Sequence, residues 1–257
     1  MGGNSAQRHS ETSGAVTRGF PKTGFAAFQA AGPVLSAPYI PSAMHECTIQ
    51  TTVSGRYLLR PSSGSGPAPL LVGFHGYGQS AEDELALLSA IPGSDRWICC
   101  SIEALHSFYT PQGAIGASWM TSRHRELRIE ENLCYVNGVI ARLRERHTVN
   151  EQLVFHGFSQ GAGMAARSAL LGNYRTSGLM MLGGDIPPEL QFAGRDVRVH
   201  LARGSRDRLY REEQYEEDKA RLHDSAIPFS ATLFNGGHGA GEEYLAAAGE
   251  FLASDFF

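Results

Sequence analysis

The sequence predicts a single α/β domain in which helices cover both faces of a mostly parallel, twisted sheet. Short apolar runs of the kind found in buried strands alternate along the chain with longer stretches of helical periodicity. The length of 257 residues suits one such domain, because α/β domains of this size commonly fold without splitting. Parallel strands need crossover connections, so the alternation favours helices on both faces of the sheet.

The predicted elements begin with two strands, Cys47–Val53 and Arg56–Arg60, joined by a turn at Ser54-Gly55. Further strands are predicted at Leu70–Phe74, Trp97–Cys100, Leu153–His156, Leu179–Leu182, Val197–Ala202 and Phe229–Phe234. Helices are predicted at Ala81–Ala90, Ile129–Arg146, Gly161–Leu171, Arg211–His223 and Glu242–Leu252. Residues 1–45 form an N-terminal tail and surface segment in this interpretation, and residues 46–257 form the α/β domain.

Composition argues against several classes of function. The formal net charge is −4 and no long block of like charge occurs, so we expect no nucleic-acid partner. No apolar stretch approaches the roughly 18 residues that a membrane span needs. The N-terminus has no secretory pattern, so we expect a cytoplasmic protein. We expect it to be a monomer or a homodimer. The four cysteines show no ligand spacing, so we expect neither a metal nor a cofactor.

The strongest motif is Gly157-Phe158-Ser159-Gln160-Gly161, which fits G-x-S-x-G between a predicted strand and a predicted helix. A sharp turn of this kind strains the backbone of the serine and leaves no room for side chains at the flanking positions. It presents the Ser159 hydroxyl at the carboxyl edge of the sheet, facing the unpaired N–H groups of the next helix. This context is typical of a nucleophilic serine in the α/β-hydrolase fold.

A serine nucleophile needs a base and an orienting carboxylate, and in this fold the acid and then the histidine follow the serine. His238 lies in a glycine-rich loop directly after the last predicted strand and is the best placed of the ten histidines. Asp207 follows the strand Val197–Ala202, and we predict that it accepts a hydrogen bond from His238. Asp185 follows the preceding strand and is the alternative acid.

The turn His75-Gly76-Tyr77-Gly78 follows the strand Leu70–Phe74 and indicates an oxyanion hole. Its predicted donors are the backbone N–H groups of Tyr77 and Gln160. We expect His75 to stabilise the turn rather than to act as a base, because no acid stands at a suitable spacing from it.

Taken together, these motifs resemble the carboxylesterase/phospholipase family of α/β hydrolases, which includes the acyl-protein thioesterases. The resemblance covers roughly residues 68–255 and includes the Gly-Phe-Ser-Gln-Gly form of the serine motif and the pair Ser118-Trp119. The chain departs from the family pattern at Gln79-Ser80, where an acid is common, and at Met120-Thr121, which follow the tryptophan. The resemblance implies esterase chemistry without naming the substrate.

The pocket is predicted from two connections. The long segment Ile102–Arg128 is expected to wall the acyl or alcohol pocket. Its Trp119 is predicted either to contact the substrate together with Tyr77 or to anchor the core. Residues 183–196 are too few for the helical cap that lipases of this fold insert there, so no large cap domain is expected.

These observations predict a serine carboxylesterase that hydrolyses short- to medium-chain, small-molecule esters through an acyl-enzyme on Ser159. Acyl-protein thioesterase, lysophospholipase or peptidase activity on the same triad is the alternative. A remote alternative is a dinucleotide-binding oxidoreductase, because Gly161–Ala166 matches G-x-G-x-x-A. Close packing of a helix on the sheet explains these small residues more simply, and the first glycine lies too far beyond the strand.

Overall fold

The structure, a computed structural model, describes Met1 and residues 45–254. The chain divides into a unit of residues 1–50 and a unit of residues 51–257, and the helices and strands of the described residues all lie in the second unit. Apart from Met1 and His45, the predicted tail and surface segment at residues 1–45 lie outside the described residues.

The strands form one large sheet and one small one. In chain order they are β1 (Tyr57–Arg60), β2 (Ala68–Phe74), β3 (Ile98–Ile102), β4 (His106–Tyr109), β5 (Ile115–Ser118), β6 (Val149–Phe158), β7 (Gly178–Leu182), β8 (Arg198–Gly204) and β9 (Phe229–Phe234). Seven of them form a sheet in the order β1-β3-β2-β6-β7-β8-β9, whereas β4 and β5 form a separate antiparallel pair. Only β1 runs antiparallel to its neighbour in the large sheet, so the predicted mostly parallel sheet is confirmed.

Within the described residues, five α-helices pack on the two faces of the sheet. They are α1 (Ala81–Ala90), α2 (Arg125–Arg146), α3 (Gln160–Leu171), α4 (Glu212–Asp224) and α5 (Glu242–Ala253), and a short 3-10 helix spans Ser94–Arg96. The buried faces of α2, α3 and α4 share one apolar core, and those of α1 and α5 share the other. The predicted helices on both faces are therefore confirmed.

The connection between β7 and β8, residues 183–197, contains neither helix nor strand, so no cap domain is inserted there, as predicted. None of the helices among the described residues combines the length and the apolar character that crossing a bilayer would need.

The predicted opening hairpin is wrong. Residues 45–56 contain no strand, and Ile49 and Val53 are 92% and 65% exposed. Strand β1 instead pairs antiparallel with β3, with Leu59 opposite Cys100. A two-stranded hairpin is marginal by itself, whereas the edge of a buried sheet offers β1 both backbone partners and apolar contacts.

The predicted long loop Ile102–Arg128 also needs correction. It contains the hairpin β4–β5, and α2 begins at Arg125, inside the segment. The N–H of Ala117 donates to the carbonyl oxygen of Gln79 at 3.0 Å, which ties the hairpin to the turn after β2. Regular pairing thus replaces irregular loop structure, because the segment can satisfy its own backbone groups.

A buried polar network joins strand β6 to helices α1 and α5. His156 of β6 contacts Glu84 of α1 through Nδ1 at 2.5 Å and Tyr244 of α5 through Nε2 at 2.7 Å. All three side chains are at most 1% exposed. Burial raises the pKa of Tyr244, so its hydroxyl keeps its proton and donates to the histidine.

We expect Tyr244→Phe to lower the free energy of unfolding by about 1–3 kcal/mol, because His156 Nε2 then lacks a partner in a site without water access. Urea unfolding followed by tryptophan fluorescence measures the change. The matched control is Tyr109→Phe on β4, whose ring is 78% exposed. Equal stability of the two variants would contradict a stabilising role for this network.

Candidate active site

The serine motif forms a sharp turn between β6 and α3. Ser159 has φ 54° and ψ −119°, a backbone conformation that residues other than glycine rarely adopt. Such backbone strain costs about 1–3 kcal/mol and persists only where the surroundings enforce it. The N–H of Ser159 donates to the carbonyl oxygen of Leu182 at 2.8 Å, which holds the turn against the end of β7.

The two glycines of the motif are required by close backbone approach. A Cβ atom on Gly161 would overlap the carbonyl oxygen of Phe74 at the end of β2. A Cβ atom on Gly157 would overlap the carbonyl oxygen of Gly161 itself. The first turn of α3 therefore lies directly against the carboxyl end of the sheet, as the motif predicts.

Ser159, His238 and Asp207 form one chain of hydrogen bonds. The Nε2 atom of His238 lies 2.8 Å from the Ser159 Oγ atom, and its Nδ1 atom lies 2.8 Å from Asp207 Oδ2. The Asp207 side chain is 1% exposed and the His238 side chain 21% exposed. Three residues far apart in sequence thus meet at the carboxyl ends of β6, β8 and β9, where the sequence placed them.

Backbone bonds join the loops that carry the acid and the histidine. The N–H of Ser205 donates to Phe234 O, and the N–H of Arg206 donates to Gly236 O, each at 2.8 Å. These bonds continue the pairing of β8 with β9 past the ends of the strands. The separation of the two loops is therefore set by the sheet itself.

The Asp207 carboxylate is also held from within its own loop. Its Oδ1 atom accepts the N–H groups of Leu209 at 2.8 Å and of Tyr210 at 3.1 Å. With Oδ1 used in this way, Oδ2 is left to face His238. The alternative acid, Asp185, is exposed, and no hydrogen bond or ion pair joins it to His238 within residues 45–254.

A buried acid outside the triad braces the same loop. The Asp218 Oδ2 atom of α4 accepts the Tyr210 hydroxyl at 2.8 Å and the N–H of Ile186 at 3.0 Å. Burial and the nearby Asp218 charge raise the pKa of Tyr210, so its hydroxyl remains a donor. This cluster links the acid loop to the connection that follows β7.

The turn after β2 leaves one N–H group unused. Gly76 N–H donates to Gln79 Oε1 at 2.8 Å, and Gly78 N–H donates to Ala117 O at 2.9 Å. Within residues 45–254, no acceptor is bonded to the N–H of Tyr77 or to that of Gln160, the first residue of α3. Both predicted oxyanion donors thus remain available to a ligand.

The Gln160 side chain holds a second part of the same region. Its Oε1 atom accepts the Trp119 N–H at 2.8 Å, and its Nε2 atom donates to Met120 O at 3.2 Å. Ser118 Oγ lies 3.3 Å from both of these side-chain atoms. The Gln160 side chain therefore holds Trp119 and Met120, which follow β5, in place.

The Trp119 side chain lies in the core, which corrects its prediction as a substrate contact. It is 1% exposed and packs edge-on against Phe74, with ring centroids 5.3 Å apart. Its indole N–H donates to His75 O at 3.0 Å, and its own carbonyl oxygen accepts the Asn132 amide at 2.7 Å. Burial needs a partner for the indole N–H, and the turn after β2 supplies it.

His75 stabilises this turn, as predicted. Its Nε2 atom accepts the N–H of Ala104 at 3.1 Å, which leaves Nδ1–H to donate to Gly76 O at 2.7 Å. The imidazole is fully buried, and both of its nitrogens are engaged with the backbone.

One aromatic ring contacts His238, and a pair of aromatic rings lies at the turn after β2. The ring centroids of Phe158 and His238 lie 4.9 Å apart. Tyr77 is 64% exposed, and its ring lies 5.1 Å from that of Phe108 on β4. An apolar surface therefore adjoins the turn after β2.

A scan against protein-family models matches residues 62–255 to the family described as Phospholipase/Carboxylesterase. The chain belongs to this family. The match includes the serine motif, the acid and histidine loops and the turn after β2, so the resemblance inferred from the motifs is confirmed. A search of curated proteins gave no match.

Solved structures share the fold of this family member. Esterase PE8 aligns with a TM-score of 0.65 and 22% identity, over 78% of this chain and 99% of that one. The Bacillus cereus carboxylesterase aligns at 0.63 and 17%, over 77% and 93%. A phospholipase/carboxylesterase from Dyadobacter fermentans aligns at 0.61 and 18%, over 80% and 99%. At these identities the likeness establishes the α/β-hydrolase fold alone.

Sequence reasoning missed the supporting contacts of the site. It assigned Gln160 a backbone role only, and it did not consider Asn132 or the ring of Phe158. The Gln-Gly pair after the serine was a usable signal, because a long amide directly beside a nucleophile can hold neighbouring backbone. Asn132 had no local signal, since its partner Trp119 lies in another element. Among the described residues, no His, Cys, Asp and Glu side chains cluster as a metal site would require.

We expect Gly161→Ala to lower the free energy of unfolding by about 3 kcal/mol or more, because its Cβ atom would displace the carbonyl end of β2. The matched control is Gly138→Ala in α2, where nothing lies within 4 Å of the added atom. That variant should gain about 0.5–1 kcal/mol. Urea titrations of both compare them, and a neutral Gly161→Ala would contradict the close approach.

Proposed function

We propose that the protein is a serine carboxylesterase that hydrolyses short- to medium-chain carboxylic esters through an acyl-enzyme on Ser159. The observation that carries this proposal is the hydrogen-bond chain from Asp207 through His238 to Ser159, with both distances at 2.8 Å. A histidine oriented in this way can take the serine proton and so activate a weak nucleophile near neutral pH.

In the first half of the reaction, Ser159 Oγ attacks the ester carbonyl carbon while His238 Nε2 takes the hydroxyl proton. The carbonyl oxygen becomes an oxyanion that accepts the N–H groups of Tyr77 and Gln160. Collapse of this intermediate breaks the bond to the alcohol oxygen, which receives its proton from His238. Asp207 stabilises the imidazolium that forms between the two transfers.

In the second half, water takes the place of the alcohol. His238 accepts a proton from the water as its oxygen attacks the acyl carbon of the Ser159 ester. The same two N–H groups hold the second oxyanion, which collapses to the carboxylic acid as the bond to Ser159 Oγ breaks and His238 returns its proton to that oxygen. One water is consumed and one ester bond is broken, with no cofactor in the balance.

The surroundings of the serine support this substrate class. The exposed Tyr77 and the adjoining Phe108 supply the apolar surface on which an acyl or alcohol group can rest. The burial of Trp119 leaves it no part in this surface. The connection at residues 183–197 adds no helical cap to enclose a long chain. These features favour short and medium acyl chains over long ones.

A substrate panel on wild type and Ser159→Ala tests the proposal. We expect kcat/KM for p-nitrophenyl esters to be highest from acetate to octanoate, and kcat to fall by about 10⁶-fold in Ser159→Ala. The control is Ser107→Ala on β4, which should keep full activity. A thioester with the same acyl group separates esterase from thioesterase preference, and palmitate as the best substrate would overturn the chain-length assignment.

The acid is tested by the pair Asp207→Asn and Asp185→Asn. The first change keeps the shape of the side chain but no longer favours the imidazole tautomer that leaves Nε2 free, so we expect kcat to fall by about 10⁴-fold. The second alters an exposed residue without a bond to His238 and should leave kcat unchanged. The reverse pattern would transfer the acid role to Asp185.

A further inference from the structure

Arg203 is a buried cation near the end of β8, four residues before the proposed catalytic acid. It is 5% exposed. Within the described residues no carboxylate oxygen forms an ion pair with it. Its Nε atom donates to the carbonyl oxygen of Tyr210 at 2.8 Å, and its Nη2 atom donates to that of Asp207 at 3.2 Å. The guanidinium therefore bonds the backbone at both ends of the turn Asp207–Tyr210.

The same turn is bonded from the opposite direction by its own acid. Asp207 Oδ1 accepts the N–H groups of Leu209 and Tyr210, and Arg203 binds the carbonyl oxygens of residues 207 and 210. The two sets of bonds fix the plane of the carboxylate relative to β8. They leave Asp207 Oδ2 as the atom that faces His238, at 2.8 Å.

The burial of the Arg203 charge has an electrostatic cost. Burying a cation without a carboxylate partner is costly, and an apolar residue of similar length often fills such a space at no loss of stability. Here Nη1 of Arg203 has no partner among the described residues, so the side chain does not maximise its own bonds. The neighbouring ring of Tyr215, whose pKa burial raises to about 12, provides no compensating charge. What Arg203 does provide is a rigid planar donor for two carbonyl oxygens.

We propose that Arg203 is a positioning residue that holds Asp207 in the orientation His238 requires. This inference rests on the proposed function, since it assigns Arg203 to the support of that triad. Without the guanidinium, the carbonyl oxygens of residues 207 and 210 lose their donors and the turn relaxes. The Asp207 Oδ2 atom then moves relative to His238 Nδ1, and the imidazole loses alignment with Ser159 Oγ. The substrate surface at Tyr77 is untouched.

The test compares Arg203→Met and Arg203→Lys with Arg60→Met. Met keeps the stem and removes every donor, whereas Lys keeps the charge but lacks the planar fork. Arg60 is the matched control, because this half-buried arginine of β1 donates to the carbonyl oxygen of Ser94 at 2.8 Å, at the opposite edge of the sheet. Activity is expressed per site titrated to completion with a fluorophosphonate, so that unfolded protein does not count.

We expect kcat per titrated site to fall by about 10²-fold in Arg203→Met, with KM nearly unchanged, because misplacement affects the reaction more than binding. Arg203→Lys should recover part of the loss, and Arg60→Met should keep the wild-type kcat. In folded Arg203→Met, the downfield proton resonance of His238 Nδ1–H should broaden or disappear, which loss of stability alone would not cause.

One result would overturn the role of Arg203, and a different result would overturn the proposed function. Wild-type kcat and an unchanged His238 resonance in Arg203→Met and Arg203→Lys would overturn the role of Arg203 and leave the esterase proposal intact. A wild-type protein that takes up no fluorophosphonate would overturn the proposed function itself. The titration therefore distinguishes failure of the inference from failure of the reaction on which it depends.

Discussion

The close approach of α3 to the carboxyl end of β2 sets the geometry on which the site depends. At Gly161 the helix backbone lies against the Phe74 carbonyl, with no space for a Cβ atom between them. The chain can enter the helix at this distance only through the strained conformation of Ser159. That conformation places the hydroxyl at the edge of the sheet and leaves the N–H of Gln160 beside it. Steric exclusion thus determines where the Ser159 hydroxyl lies.

Around this close approach, hydrogen bonds hold the loops whose positions are not determined by steric contact. The Gln160 side chain holds the segment after β5, Trp119 of that segment donates to the carbonyl of His75, and His75 braces the turn that carries Tyr77. On the other side, the bonds of Asp207 and Arg203 hold the acid loop. The Gln160 side chain is partly buried and the other four side chains that form these bonds are buried, so displacement of one affects the groups to which it is bonded.

Many features of the fold were predictable because their signals are local. Each apolar strand, each periodic helix and the glycines of the serine motif occupy a short stretch of chain, and the acid and the histidine each follow shortly after a strand. The error at residues 47–53 shows the limit of such signals. Its apolar pattern suits a strand, but a strand also needs a partner, and β3 pairs with β1 instead. The apolar pattern of a segment does not by itself show whether another strand will pair with it.

The sequence by itself determined the α/β architecture and the candidates for nucleophile, base and acid, because these follow from periodicity and turn chemistry within a few residues. Only the tertiary structure decided that His238 bonds Asp207 rather than Asp185. It also decided that Trp119 anchors the core and that Arg203 lies beneath the acid loop. These outcomes depend on distances between residues far apart in the chain, which the packing of the elements sets.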